Sequence, residues 1–193
     1  RPEQVLAPIY GSAWRYRHRA RLSVREVAKK GTVLVGFHEK RSSFIADMKS
    51  CEILPKRVSD LLVPLRELIN SLSLRKKLPQ IELAVTDEAL ALVLRVLEKL
   101  TADDEAKLRQ FQKAYGVDFW YQPKGPDSIY PMDPENATRL KLHHRETGVE
   151  VVFRPTDFTQ VNHRLNEVMV TRALRLLHLE PSSKVIDFFC GLG

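Results

Sequence analysis

The chain has 193 residues, 44% of them hydrophobic, and a formal net charge of +7. That length allows one full domain and part of another, and no run approaches the ~18 uncharged apolar residues of a membrane span. Cys51 and Cys190, far apart, make no disulfide framework, and no secretory signal pattern is visible, so a reducing cytoplasm is the expected setting. No obligate protein partner is evident. The excess charge is local: the first 50 residues carry eleven Lys or Arg against four acids, and the rest of the chain holds 20 of each sign. Concentrated positive charge favours a polyanion, usually nucleic acid.

Residues 1–14, with Pro2 and Pro8, read as an irregular lead-in. Over residues 15–28, Arg15, Arg17, Arg19, Arg21 and Arg25 share one parity, and Tyr16, His18, Ala20, Leu22 and Val24 share the other. A strand sends alternate residues to opposite faces, so this pattern predicts a row of guanidinium groups roughly 7 Å apart over an apolar underside. Lys29, Lys30 and Gly31 turn the chain into a second strand at 32–38, and a third is expected at 44–48. A helix follows over 56–72, kinked or divided by Pro64. Two apolar strands come next, at 80–85 and 89–96. Thr101 and the acids after it open a second helix that Gly116 closes. Residues 117–122 are strand-like, 123–134 form a loop with short extended pieces, and 140–142 with 149–153 form a last hairpin. His143-His144 reads as a solvated turn, and the six histidines show no metal-ligand spacing.

The composition changes at Arg154. Residues 155–161 are a polar turn, 162–179 an amphipathic helix carrying Leu165, Val168, Met169, Ala173, Leu176 and Leu177 on one side, and 184–188 a short strand leading to Cys190-Gly191-Leu192-Gly193. The fold class is therefore an α+β central domain over 15–153 with a largely antiparallel sheet, followed over 154–193 by the first elements of an α/β domain. Forty residues cannot enclose a core of their own, which implies a truncated second domain.

Two segments carry the chemistry. Asp187-Phe188-Phe189-Cys190-Gly191-Leu192-Gly193 ends a strand with glycines that let backbone approach a nucleotide-like ligand. Taken alone it reads first as an ordinary strand-to-turn ending. Asp157-Phe158-Thr159-Gln160-Val161-Asn162 reads alone as a linker with Asn162 as a helix cap. Paired, D-F-x-Q-V-N and D-x-F-C-G-x-G resemble the RNA (uracil-C5)-methyltransferases. The likeness extends to Tyr16-Arg17-His18-Arg19-Ala20-Arg21-Leu22-Ser23, to Gly36-Phe37 with Ser42-Ser43, and to the run from Asp47 to Pro55. This central stretch favours the branch that makes 5-methyluridine in 23S ribosomal RNA.

The resemblance implies a Rossmann-like catalytic domain that uses S-adenosylmethionine. Gln160 and Phe189 fall on cofactor-contacting positions, and Asp187, Gly191 and Gly193 belong to the same loop. The family's cysteine nucleophile and glutamate base lie beyond Gly193, so no catalytic residue is assigned here. Cys190 belongs to the cofactor loop. Cys51 aligns with one ligand of a [4Fe-4S] cluster whose other three cysteines precede this segment in the family. It is therefore expected to be an orphan ligand. The RNA-binding candidates are Arg15, Arg17, Arg19, Arg21, Arg25, Lys29 and Lys30, contacting phosphate, with Trp14, Tyr16, Phe37 and Phe44 available to stack on unpaired bases. The chain alone is expected to be inactive and to bind the cofactor weakly. The alternatives are a stand-alone RNA-binding module and a transfer-RNA (uracil-C5)-methyltransferase.

Overall fold

The computed structural model describes residues 3–192. β1 (Arg19–Val27) passes through a 3-10 turn at residues 28–30 into β2 (Thr32–Gly36). Gly31 closes that turn at φ 62, a left-handed conformation that costs a glycine no Cβ clash. Two helices follow, α1 (Lys56–Ser59) and α2 (Leu62–Ser71), and then the hairpin of β3 (Gln80–Val85) and β4 (Leu90–Arg95). α3 (Ala102–Tyr115) carries the chain across to β5 (Asp118–Gln122) and the two-residue β6 (Tyr130–Pro131). A separate hairpin, β7 (Leu140–His144) with β8 (Val149–Phe153), precedes α4 (His163–Leu176).

The main sheet has the order β2-β1-β3-β4-β5-β6. Every pairing is antiparallel except β4 with β5, which the α3 crossover makes parallel. It is thus a mixed, mostly antiparallel sheet with helices. The period-two pattern decides its faces. Leu22, Ile81, Leu83, Leu92, Leu94 and Phe119 lie in a core shared with Leu62, Leu65, Ile69 and Leu108 of α2 and α3. On the opposite face, Ala84, Ala89 and Ala91 are small enough for the β7–β8 hairpin to pack down through Leu140 and Phe153.

α3 forms where its caps predict. Thr101 and Asp104 make a reciprocal capping box, and Gly116 ends the helix at φ 60. The buried Asp104 carboxylate also accepts bonds from the backbone N–H and hydroxyl of Ser73, at 2.8 and 2.6 Å, and so ties the end of α2 to α3.

Several expectations need correcting. β1 begins at Arg19, so Arg15 and Arg17 precede the strand, and Arg15 has φ 60. The division of the 56–72 helix falls at Asp60 and Leu61, ahead of Pro64. Pro64 stands in the first turn of α2, where its missing N–H removes no helical bond. Residues 44–48 form no strand. They make one isolated bridge, His38 with Ile45, and then the Met48 sulfur takes the Phe37 N–H at 3.3 Å and stops the ladder. His143 and His144 end β7, and His144 bonds Thr147 at 2.8 Å and Thr171 at 3.2 Å. Residues 184–188 are not a strand: no strand among the described residues lies beside them, and Ile186 and Phe188 are both 78% exposed. α4 likewise buries no residue fully, and Val168, Met169, Leu176 and Leu177 stay about half exposed.

Candidate functional site

The loop at 155–161 is seated on the entry to β1. The Arg19 guanidinium donates to the carbonyls of Asp157 and Pro155, the latter at 2.9 Å, and the His18 amide donates to the Val161 carbonyl at 2.8 Å. Asp157 closes the loop on itself: its carboxylate accepts from the Arg154 amide at 2.7 Å and from the Arg154 guanidinium at 3.0 Å. Burial opposes ionisation of Asp157, but these bonds outweigh it and hold its pKa below the ordinary value. Thr159 is buried inside the loop, and Asn162 caps α4 by accepting from the Leu165 amide at 3.0 Å.

Beside this loop runs a groove of about 780 Å³. Its walls are the β7–β8 hairpin, the near side of α4 and the segment 189–192. Gln160, Phe189 and Gly191 all line it, though 29 and 31 positions separate the last two from Gln160 in sequence. Phe189 is fully exposed and Gly191 sits at φ 67. An open aromatic face and a backbone with no Cβ suit a flat heterocycle approaching closely. Asp187 is exposed and is not among the groove residues, and Gly193 lies outside the described residues.

Sequence reasoning missed a histidine pair at the same seat. The rings of His18 and His163 stack with centroids 4.6 Å apart and planes at 17°. His18 Nδ1 bonds the Tyr16 carbonyl at 2.9 Å, and His163 Nε2 is buried without a partner. Burial lowers the pKa of both rings, and the His18 ring adds to the effect at His163, which falls to about 4. His163 is also the first residue of α4, where the positive end of the helix disfavours a second positive charge. No spacing rule joins positions so far apart in sequence.

The arginine row is broken up by protein contacts. Arg15 donates to the carbonyls of Cys51 and Leu54 and pairs with Glu52 at 2.7 Å, and Arg17 lies 5.7 Å from the Phe37 ring centre. Arg19 is sunk into the loop seat, and burial lowers its pKa. Arg21 pairs with Glu82 at 2.8 Å, Arg25 donates to the Ser43 carbonyl, and Lys30 pairs with Asp47. Arg21 and Arg25 remain exposed, as do Lys29 and Lys30.

Cys51 is half-buried against the core, and its amide donates to the Ser59 hydroxyl at 2.8 Å. Among the described residues no three His, Cys, Asp or Glu side chains converge on a metal position. A [4Fe-4S] cluster needs about four ligands, so this single thiol does not fit one. Among the described residues no helix is long and apolar enough to cross a membrane.

No family model matches the chain. Over its whole length, however, the chain is similar to RNA uracil-C5 methyltransferases. These relatives are 23S rRNA (uracil(1939)-C(5))-methyltransferases RlmD. The chain is 56% identical to that of Ralstonia pickettii strain 12J over all 193 residues, which make up 43% of the relative. It is 58% identical to that of Burkholderia lata, covering 41% of it, and 56% identical to that of Cupriavidus necator, covering 44%. The chain thus spans about two-fifths of the curated relatives it matches. Among solved structures, Pyrococcus abyssi tRNA (uracil-54, C5)-methyltransferase in complex with S-adenosyl-L-homocysteine aligns with a TM-score of 0.60 at 16% identity. The alignment covers 86% of this chain and 41% of that one, and bears on the fold alone.

Proposed function

We propose that this chain is part of an S-adenosylmethionine-dependent methyltransferase that forms 5-methyluridine in 23S ribosomal RNA. The observation that carries the reading is 56–58% identity to proteins of that name in alignments that span all 193 residues. Residues 154–193 are then the opening of a Rossmann-like cofactor domain. Gln160, Phe189 and Gly191 fit the cofactor because the fold brings them onto one groove wide enough for a nucleoside. When bound there, the cofactor supplies the methyl group.

This chain's own residues hold and orient. The Gln160 amide offers both a donor and an acceptor at the groove, Phe189 offers a stacking face, and Gly191 lets the main chain approach. The exposed Arg21, Arg25, Lys29 and Lys30 give the RNA backbone its first positive contacts, while the half-buried Arg15 and Arg17 stand behind them against Glu52 and the Phe37 ring. A surface ion pair such as Arg21–Glu82 is worth only ~0–1 kcal/mol, so phosphate readily replaces its carboxylate. Uracil methylation also calls for a thiolate that adds to the base and a carboxylate that removes the C5 proton.

The test is transfer of a labelled methyl group to 23S ribosomal RNA from cells lacking this modification, using the full-length gene product. The reading predicts label in 5-methyluridine and loss of most of it in Gln160→Ala. Label in transfer RNA alone contradicts it.

A further inference from the structure

We propose that Arg19 is a positioning residue for the groove, clamping the loop that presents Gln160, and that it is not a phosphate ligand. The inference rests on the reading of Gln160 as a cofactor contact. Its structural half stands apart from that reading.

Arg19 shares the parity of Arg21 and Arg25, yet its surroundings differ. Those two are exposed, whereas Arg19 is half-buried with both terminal nitrogens on main-chain carbonyls. The carbonyls of Pro155 and Asp157 bracket Thr156 and point the same way. A planar guanidinium spans such a pair and a single ammonium does not. The adjacent His18 amide holds the Val161 carbonyl, so two consecutive residues take three carbonyls of the loop. Gln160 lies between the last two of these anchors, one residue after the buried Thr159. Its backbone is therefore fixed on both sides while its side chain faces the groove. Asp157 holds Arg154 from the other end of the same turn, so removing Arg19 leaves the turn with only that local closure and the single His18 bond to hold it.

Three variants, Arg19→Ala, Arg19→Lys and Arg21→Ala, separate the roles. In this chain, hydrogen exchange at the His18 and Asp157 amides reports the seat. Arg19→Ala should speed both at least about tenfold, Arg19→Lys by less, and Arg21→Ala not at all. Unchanged exchange across the β3–β4 ladder shows that the sheet is intact. Affinity for a single-stranded uridine-rich RNA should fall in Arg21→Ala and stay within about twofold in Arg19→Ala. In the full-length gene product, Arg19→Ala should raise KM for S-adenosylmethionine about tenfold with kcat within about threefold, and Arg19→Lys should recover part of it. If the wild-type protein binds no S-adenosylhomocysteine, the cofactor reading fails while the exchange data still decide the clamp. Unchanged exchange at both amides in Arg19→Ala, or an RNA loss equal to that of Arg21→Ala, overturns the proposal.

Discussion

Acidification should loosen the seat between β1 and α4 before it unfolds the sheet. His163 has a pKa of about 4 in the fold, against an ordinary 6.5. The unfolded chain therefore takes up the proton first as pH falls. The contribution is fully present above about pH 6.5 and is lost progressively down to about pH 4. That interval caps the effect at roughly 3 kcal/mol. The ring keeps some contact with solvent, and screening brings the expected loss to ~1–2 kcal/mol. Around His163, the ring of His18 and the guanidinium of Arg19 oppose protonation and Asp87 favours it; Arg164 adds a positive charge against His18. Urea unfolding between pH 7 and 4.5 measures the loss, with His163→Gln as the reference lacking the ring. Wild type should lose about 1–2 kcal/mol more than the variant over that range. Parallel pH profiles, or a His163 ring resonance titrating with its midpoint near 6.5, would refute the reasoning.

Asp104→Ala removes one half of the capping box and leaves three donors, the Ser73 amide and hydroxyl and the Thr101 amide, without their acceptor, so calorimetry should show a loss of about 2–4 kcal/mol. Burial opposes the Asp104 charge, but its bonds from Ser73 and Thr101 hold the pKa below the ordinary value. The stability it lends is therefore present above about pH 4 and fades as the pH falls through the lowered pKa. Gly36→Ala places a Cβ 2.8 Å from the Ala46 carbonyl oxygen, where segment 44–48 crosses β2; chemical denaturation should register a cost of about 1–3 kcal/mol. Reversing Arg21 and Arg25 to Glu should weaken RNA binding and flatten its dependence on salt, read by titration at several ionic strengths; an unchanged slope would remove β1 from the RNA interface.

Local signals carried most of the fold. Thr101, Asp104 and Gly116 marked α3 because a cap is a short-range arrangement of a few residues. Alternation marked β1, where one face is buried by the helices and the other is not; apolar runs marked β3 and β4, and β4 is buried along both faces. Two strand assignments failed for lack of partners. Residues 184–188 have the apolar composition of a strand, but a ladder needs a neighbour as well as a sequence. At 44–48 a methionine sulfur took the amide that a ladder needed. The candidate site was legible in part: Gln160, Phe189 and Gly191 were marked by resemblance and meet on one groove, while Asp187 does not join them. The roles of the arginines were not legible, because parity says which face a side chain takes and nothing about what meets it there. Arg19 finds carbonyls more than 130 positions away, and His18 finds a histidine across a similar gap.

The central claim is that the gene encoding this chain produces 5-methyluridine in 23S ribosomal RNA. Disrupting that gene in its own organism and measuring modified nucleosides by mass spectrometry tests it most directly. The account predicts that 23S ribosomal RNA loses a 5-methyluridine and regains it on complementation, while transfer RNA is unchanged. Unaltered 5-methyluridine in 23S ribosomal RNA, or loss confined to transfer RNA, would contradict it.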